Sequence, residues 1–97
     1  MNYPRLESMA SGTQCIVLGK CTYSEFPTCS RIWSKRFHAK IEDSADGPDQ
    51  RLVLVEIDSL KFWLAFDEFS YEISLEPRDP ESGKIIPDLF SKLIANK

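Results

Sequence analysis

The sequence predicts a mainly β fold with flanking helices: a small five-stranded antiparallel barrel, preceded by a short helix and followed by an amphipathic one. Three observations carry that expectation. Apolar and polar residues alternate over 35–42 and 69–76, as they do in strands buried on one side. Turn-forming residues separate the apolar runs at short intervals, which suits antiparallel neighbours. The C-terminal segment changes to helical spacing.

The first element is expected to be a short helix. Pro4 suits a first helical position, Leu6, Met9 and Ala10 share a helical face, and Ser11-Gly12 ends it. A segment this short is held only by docking. Residues 14–23 follow as a strand rich in Ile16, Val17, Thr22 and Tyr23. Residues 24–34, with Pro27 and scattered polar side chains, read as a long hairpin arm. From residue 35 the alternation places Phe37, Ala39 and Ile41 inward and Arg36, His38, Lys40 and Glu42 outward.

Asp43-Ser44-Ala45-Asp46-Gly47-Pro48-Asp49 reads as a turn. Residues 52–57 make an apolar strand, and Asp58-Ser59-Leu60-Lys61 turns tightly into another at 62–66. A last strand puts Phe69, Tyr71, Ile73 and Leu75 inside and Ser70, Glu72, Ser74 and Glu76 outside. Residues 77–84 read as a polar linker and 85–97 as a helix, with Ile86, Leu89, Phe90, Leu93 and Ile94 forming one stripe. That helix either lies across one end of the barrel or receives a partner. The whole chain, 1–97, is read as one domain.

Charge is unevenly spread. Residues 42–76 hold ten acids against two bases (Arg51 and Lys61), a net of −8, whereas 1–41 carry +4 and 77–97 carry +1. A strand-rich block that is apolar inside and acidic outside suggests docking onto something basic. No apolar run is long enough to cross a bilayer and no signal-peptide core opens the chain, so a cytoplasmic location without membrane association is expected.

Catalytic patterns are lacking. There is one histidine, the four glycines do not cluster, and no phosphate-binding glycine loop occurs, so a non-enzymatic role is expected. Asp67-Glu68 reads as a solvated strand end. Cys15, Cys21 and Cys29 are an odd number without a C-x-x-C pair, which disfavours both a disulfide framework and zinc. Cys15 and Cys21 are expected to point the same way along one strand as buried small hydrophobes. No metal, cofactor or small-molecule ligand is expected.

A nucleic-acid reading rests on Arg31, Trp33, Lys35, Arg36 and Lys40, where bases flank an aromatic ring as in single-strand binders. The acidic whole-chain charge weighs against it, and a barrel with an acidic turn after its second strand is also similar to an OB fold. Asp43-Ser44-Ala45-Asp46-Gly47 loosely resembles the PilZ motif of second-messenger domains, but no arginine pair precedes it.

Several short segments in order resemble the Rof family of Rho-binding antiterminators. Tyr3-Pro4-Arg5-Leu6-Glu7, with Ala10, stands where that family has its N-terminal helix motif, and Gln14-Cys15-Ile16-Val17-Leu18 fits its first strand. Ala39-Lys40-Ile41-Glu42-Asp43, Leu52-Val53-Leu54-Val55-Glu56 and Phe66-Asp67-Glu68-Phe69 match the markers that follow. The resemblance covers residues 3–76. It departs from the family in having Pro4 after the tyrosine, no acidic residues before it, and a longer segment at 24–34.

The resemblance implies a small Sm-like (SH3-like) barrel. It also implies binding to the N-terminal RNA-loading domain of the Rho helicase, blocking RNA access and so suppressing termination. By carry-over, Tyr3 and Glu7, with Arg5 between them, would contact Rho from the helix. The charge pattern adds Glu42, Asp43, Asp46 and Asp49 as steering acids.

Overall fold

The computed structural model describes residues 3–46 and 50–95. It is mainly β, as expected, but it is an open sheet and not a barrel. Six strands, β1 (Arg5–Ser8), β2 (Gln14–Lys20), β3 (Lys40–Asp46), β4 (Gln50–Ile57), β5 (Leu60–Asp67) and β6 (Glu72–Pro77), pair antiparallel in the order β1-β2-β6-β5-β4-β3. Strands β1 and β3 are its two edges and do not pair with each other. Three helices, α1 (Phe26–Arg36), α2 (Pro80–Lys84) and α3 (Ile86–Ala95), complete the chain.

The sheet has one apolar face. A single rung crosses all six strands, with Leu6 opposite Ile16, then Leu75, Leu64, Val53 and Ser44 in turn. Beside it lie Phe62, Phe66, Ile73 and Val55, all buried. All three helices serve this face. Phe26 of α1 and Ile86, Leu89 and Leu93 of α3 join the same core cluster as the strand residues. Ser82 of α2 donates its hydroxyl to the Lys61 carbonyl, pinning that short helix to the start of β5. Asp79 caps α2 by accepting the Ser82 N–H at 3.1 Å, the usual service of an N-cap carboxylate.

Several sequence expectations are corrected. The N-terminal segment is a strand and not a helix: it is too short to nucleate a helix, and the free edge of β2 satisfies its backbone instead. Residues expected to form a hairpin arm make α1. Its buried stripe is Phe26, Ser30 and Ser34, so serines occupy positions where an apolar period would have shown. Pro27, read as a loop signal, sits in the helix's first turn, where its missing N–H costs nothing. Lys35 and Arg36 therefore end a helix, and β3 begins only at Lys40. Ile41, expected inside, is 45% exposed on that edge strand.

Phe69 and Tyr71, also expected inside, belong to the β5–β6 connection and are 81% and 56% exposed. The linker at 77–84 contains α2, while α3 packs in cis through Ile86, Leu89 and Leu93. The two cysteines of the first strand diverge. A bulge between Val17 and Gly19 shifts β2 by one residue, so Cys15 lies on the face away from the helices and Cys21 joins the core.

Helix α1 ends in a Schellman motif, with the His38 N–H donating to the Lys35 carbonyl and Ala39 N–H to that of Ser34. The left-handed residue of the motif is His38 (φ 54°), where glycine is the usual occupant. Asp58 (φ 52°) and Ser59 (φ 68°) make the two-residue β4–β5 turn without the glycine such turns favour.

Ser34 is buried in α1 with its hydroxyl unpartnered among the described residues. Ser34→Ala removes an unsatisfied polar group and adds helix propensity, so it should stabilise the protein by about 1 kcal/mol. Urea denaturation checks this; a fall in stability would mean that the hydroxyl is held by an ordered water.

Candidate acidic docking face

The face of the sheet turned away from the helices is lined by side chains from the strands and the β5–β6 loop. Alternation along β6 sends Glu72, Ser74 and Glu76 to it while Ile73 and Leu75 enter the core. Cross-strand pairing sets the neighbours: Val17, Ser74, Ala65 and Leu52 follow one another across β2, β6, β5 and β4. The smaller side chains of Val17, Ser74 and Ala65 leave an open trough of about 330 Å³, with Glu7, Asp67, Glu72 and Glu76 around a floor of Cys15, Val17 and Ala65. Among the described residues no lysine or arginine lines its walls, and Arg5 reaches its edge through Glu7 and Glu72. Phe69 stands at its rim.

The carboxylates differ in their surroundings. Burial works to raise the Glu72 carboxyl, but the Tyr3 hydroxyl donates to Glu72 Oε2 at 2.5 Å and the Arg5 guanidinium at 3.0 Å. Those charge-stabilising bonds prevail and hold it below the ordinary carboxylate range. Arg5 also pairs with Glu7 at 2.6 Å and lies over the Tyr3 ring. Glu76 is the opposite case. Burial, with Asp67 adding like charge, raises its carboxyl above the ordinary range despite the hydroxyl bond from Ser74. Burial, then Glu76 and Glu7, push the Cys15 thiol up to about 11, so it stays protonated near neutral pH. Burial and a hydrogen bond with Cys29 push the Cys21 thiol up to about 12.

The expected partner residues fall into two separate places. Tyr3, Arg5 and Glu7 meet around Glu72 at the β1 edge. Glu42, Asp43 and Asp46 lie on β3, at the other edge of the sheet, so the two groups do not form one site. Asp49 lies outside the described residues. Much of the β3 charge is also spoken for: Lys61 bridges Glu42 and Glu56, and Arg51 pairs with Asp46 at 3.1 Å. Asp43 accepts the Ser44 N–H and makes no ion pair among the described residues.

The alternative set is on a helix. Arg31, Trp33, Lys35 and Arg36 belong to α1 and Lys40 opens β3. Trp33 is half-buried beside Phe37 and covered by the Arg36 guanidinium, 4.7 Å from the ring centroid, so its faces are already used.

No protein-family model, curated protein or solved structure matches this chain. Function must be read from the surface itself.

Chemically, the trough can receive cationic groups along its length. It offers no point of convergence, because among the described residues no three His, Cys, Asp or Glu side chains are placed to hold one metal ion. Sequence reasoning placed Glu72 and Glu76 outward. It could not show that Glu7 joins them, because that requires β1 to be a strand and β2 to lie beside β6.

The raised carboxyl of Glu76 fixes a sign. The folded state takes up its proton more readily than the unfolded chain, so ionised Glu76 costs stability as pH rises from the ordinary glutamate range through its folded pKa. Glu76→Gln should therefore raise the melting temperature at pH 7 and leave it nearly unchanged below pH 4, by roughly the linkage expected of one shifted carboxyl. Melting curves across that range test it; destabilisation at pH 7 that fades below pH 4 would show that the carboxylate is favourably held.

Proposed function

We propose that this protein is a non-enzymatic docking module that covers a basic, nucleic-acid-binding surface on a protein partner. The observation that carries the reading is the trough on the open sheet face, with four carboxylates around it, only Glu7 and Glu72 of them paired with a base (Arg5) among the described residues, and an exposed phenylalanine beside them. Like-signed charge gathered in a concave surface steers a basic partner and speeds encounter, and a protruding aromatic ring supplies apolar contact.

The named candidate is the N-terminal RNA-loading domain of Rho, which must be basic to hold RNA. Its support is the ordered Rof-like resemblance, together with the grouping of Tyr3, Arg5 and Glu7 at the trough. Two features depart from that family's expected form, a strand in place of the N-terminal helix and an open sheet in place of a barrel. The docking set proposed from the geometry is accordingly Glu7, Asp67 and Phe69, with Tyr3 and Arg5 orienting Glu72. The β3 acids add long-range steering. The reading of α1 as a single-strand binder has less support, because Trp33 already packs against Phe37 and Arg36.

Calorimetric titration with the isolated RNA-loading domain tests this. Binding at low salt that weakens steeply as salt rises is expected, since exposed charges are screened over about 10 Å at 0.1 M. Glu7→Lys and Phe69→Ala should each weaken it about tenfold or more, whereas Asp43→Lys at the far edge should have a smaller effect. RNA bound to the domain should compete. Absence of any association at low salt would reject Rho as the partner, and an unaffected Glu7→Lys would reject the trough.

A further inference from the structure

On the helix side of the sheet a second concavity has the opposite charge. It is a groove of about 460 Å³ between the end of α1, the β4–β5 turn and α3. Lys35 and Arg36 border it from α1 and Lys92 from α3, with His38 beside them and Asp58 as the single lining carboxylate. Lys92 also pairs with Asp88 at 3.3 Å, but both groups are well exposed, so a ligand can take over that ion pair at little cost. Between these polar groups the walls are apolar, built from Phe37, Ile57, Leu89 and Leu93.

Two independent features mark the groove as more than a gap between helices. The first is the chemistry of its rim, in a chain whose net charge is −3: three basic side chains from two elements line one cavity, the Arg36 guanidinium being stacked on the neighbouring Trp33 ring. Arginine and lysine so arranged suit phosphate oxygens, the guanidinium by paired hydrogen bonds and the ammonium as a point charge. The second is backbone strain. His38 and Asp58 both line the groove in the left-handed region, and Ser59 follows in the same conformation. Such residues gather where side-chain placement matters more than local stability. Glycine would relieve His38 at the end of α1, but it would take the imidazole from the groove.

We infer that this groove binds a phosphate ester of mononucleotide size, its phosphates held by Lys35, Arg36 and Lys92 and its flat or apolar part lying on the Phe37 and Leu89 wall. The volume lies within the range of small-molecule sites, and an apolar floor under a few placed charges is their usual composition. The expectation of no small-molecule ligand gives way here to recognition by side chains. The groove is formed without any residue of the acidic trough, so this inference stands apart from the docking proposal.

The test is a nitrogen–proton correlation NMR titration of the full chain with adenosine triphosphate, inorganic pyrophosphate, adenosine and a short single-stranded oligoribonucleotide as separate probes. The triphosphate should produce saturable shifts confined to residues 35–40, 57–59 and 89–93, with pyrophosphate about tenfold weaker and adenosine not saturating. Lys92→Glu should weaken triphosphate binding about tenfold. His38→Gly should weaken it roughly fivefold while raising the melting temperature, a combination that a purely structural histidine would not give. The inference is overturned if the triphosphate gives no saturable shift at millimolar concentration, or if pyrophosphate binds equally well. It is overturned as well if only the oligoribonucleotide binds, or if His38→Gly leaves affinity unchanged.

Discussion

Everything in this molecule follows from one-sided burial. A sheet of six strands presents two faces, and a short chain has helices enough to cover only one of them. Phe62, Leu64 and Phe66 of β5 hold that covered face together, each fully buried and each opposite another core residue or the edge of the core. Burying three such side chains is worth several kcal/mol even by conservative area bookkeeping, and losing any one would leave a cavity beneath the helices. The second face must then live in water. It does so by alternating small side chains with carboxylates, and the docking trough is the direct result.

The same constraint separates the charges. The apolar face recruits α1 and α3, whose outer sides carry Lys35, Arg36 and Lys92, while the bare face keeps Glu7, Asp67, Glu72 and Glu76. A protein with a modest net charge thus becomes electrostatically two-sided. Internal pairing trims the contrast where it would be costly: Arg5 sits among the trough's carboxylates, and Lys61 gathers two glutamates near the β3 edge. The β3 edge itself is long and exposed. Its bulge between Ile41 and Asp43 and its charged side chains discourage the strand pairing that an open edge invites.

The central strands were legible in the sequence because their periods are strong. Residues 52–57 and 62–66 could be nothing but buried strands, and Ile73 with Leu75 alternate cleanly against Glu72, Ser74 and Glu76. The ends of the chain and α1 were less so. The N-terminal segment carries helical and strand spacing at once, and only the vacant edge of β2 decides between them. Helix α1 hides its period behind Ser30 and Ser34, and its Schellman ending at His38 lacks the glycine that signals a stop. The acidic character of the surface was readable as composition. Its division into a trough across the middle strands and a largely paired strip along β3 depends on strand order, which local pattern does not encode. The positive groove was invisible for a related reason, since Lys35 and Lys92 are brought together only by the packing of α1 and α3.

The bulge in β2 has a further bearing on how motions of this protein could be followed. By changing the strand's parity at one residue, it assigns Cys15 and Cys21 to different sides of the sheet, and burial keeps both thiols protonated near neutral pH. Cys21 reacts only when the helix layer opens, whereas Cys15, on the floor of the open trough, is restrained by its small exposure and raised pKa. The protein therefore carries two separate reporters, one for access to the carboxylate face and one for detachment of α1 from the core, where Cys29 sits beside Cys21. Alkylation read separately at each would distinguish a sheet that breathes as a unit from two layers that part independently.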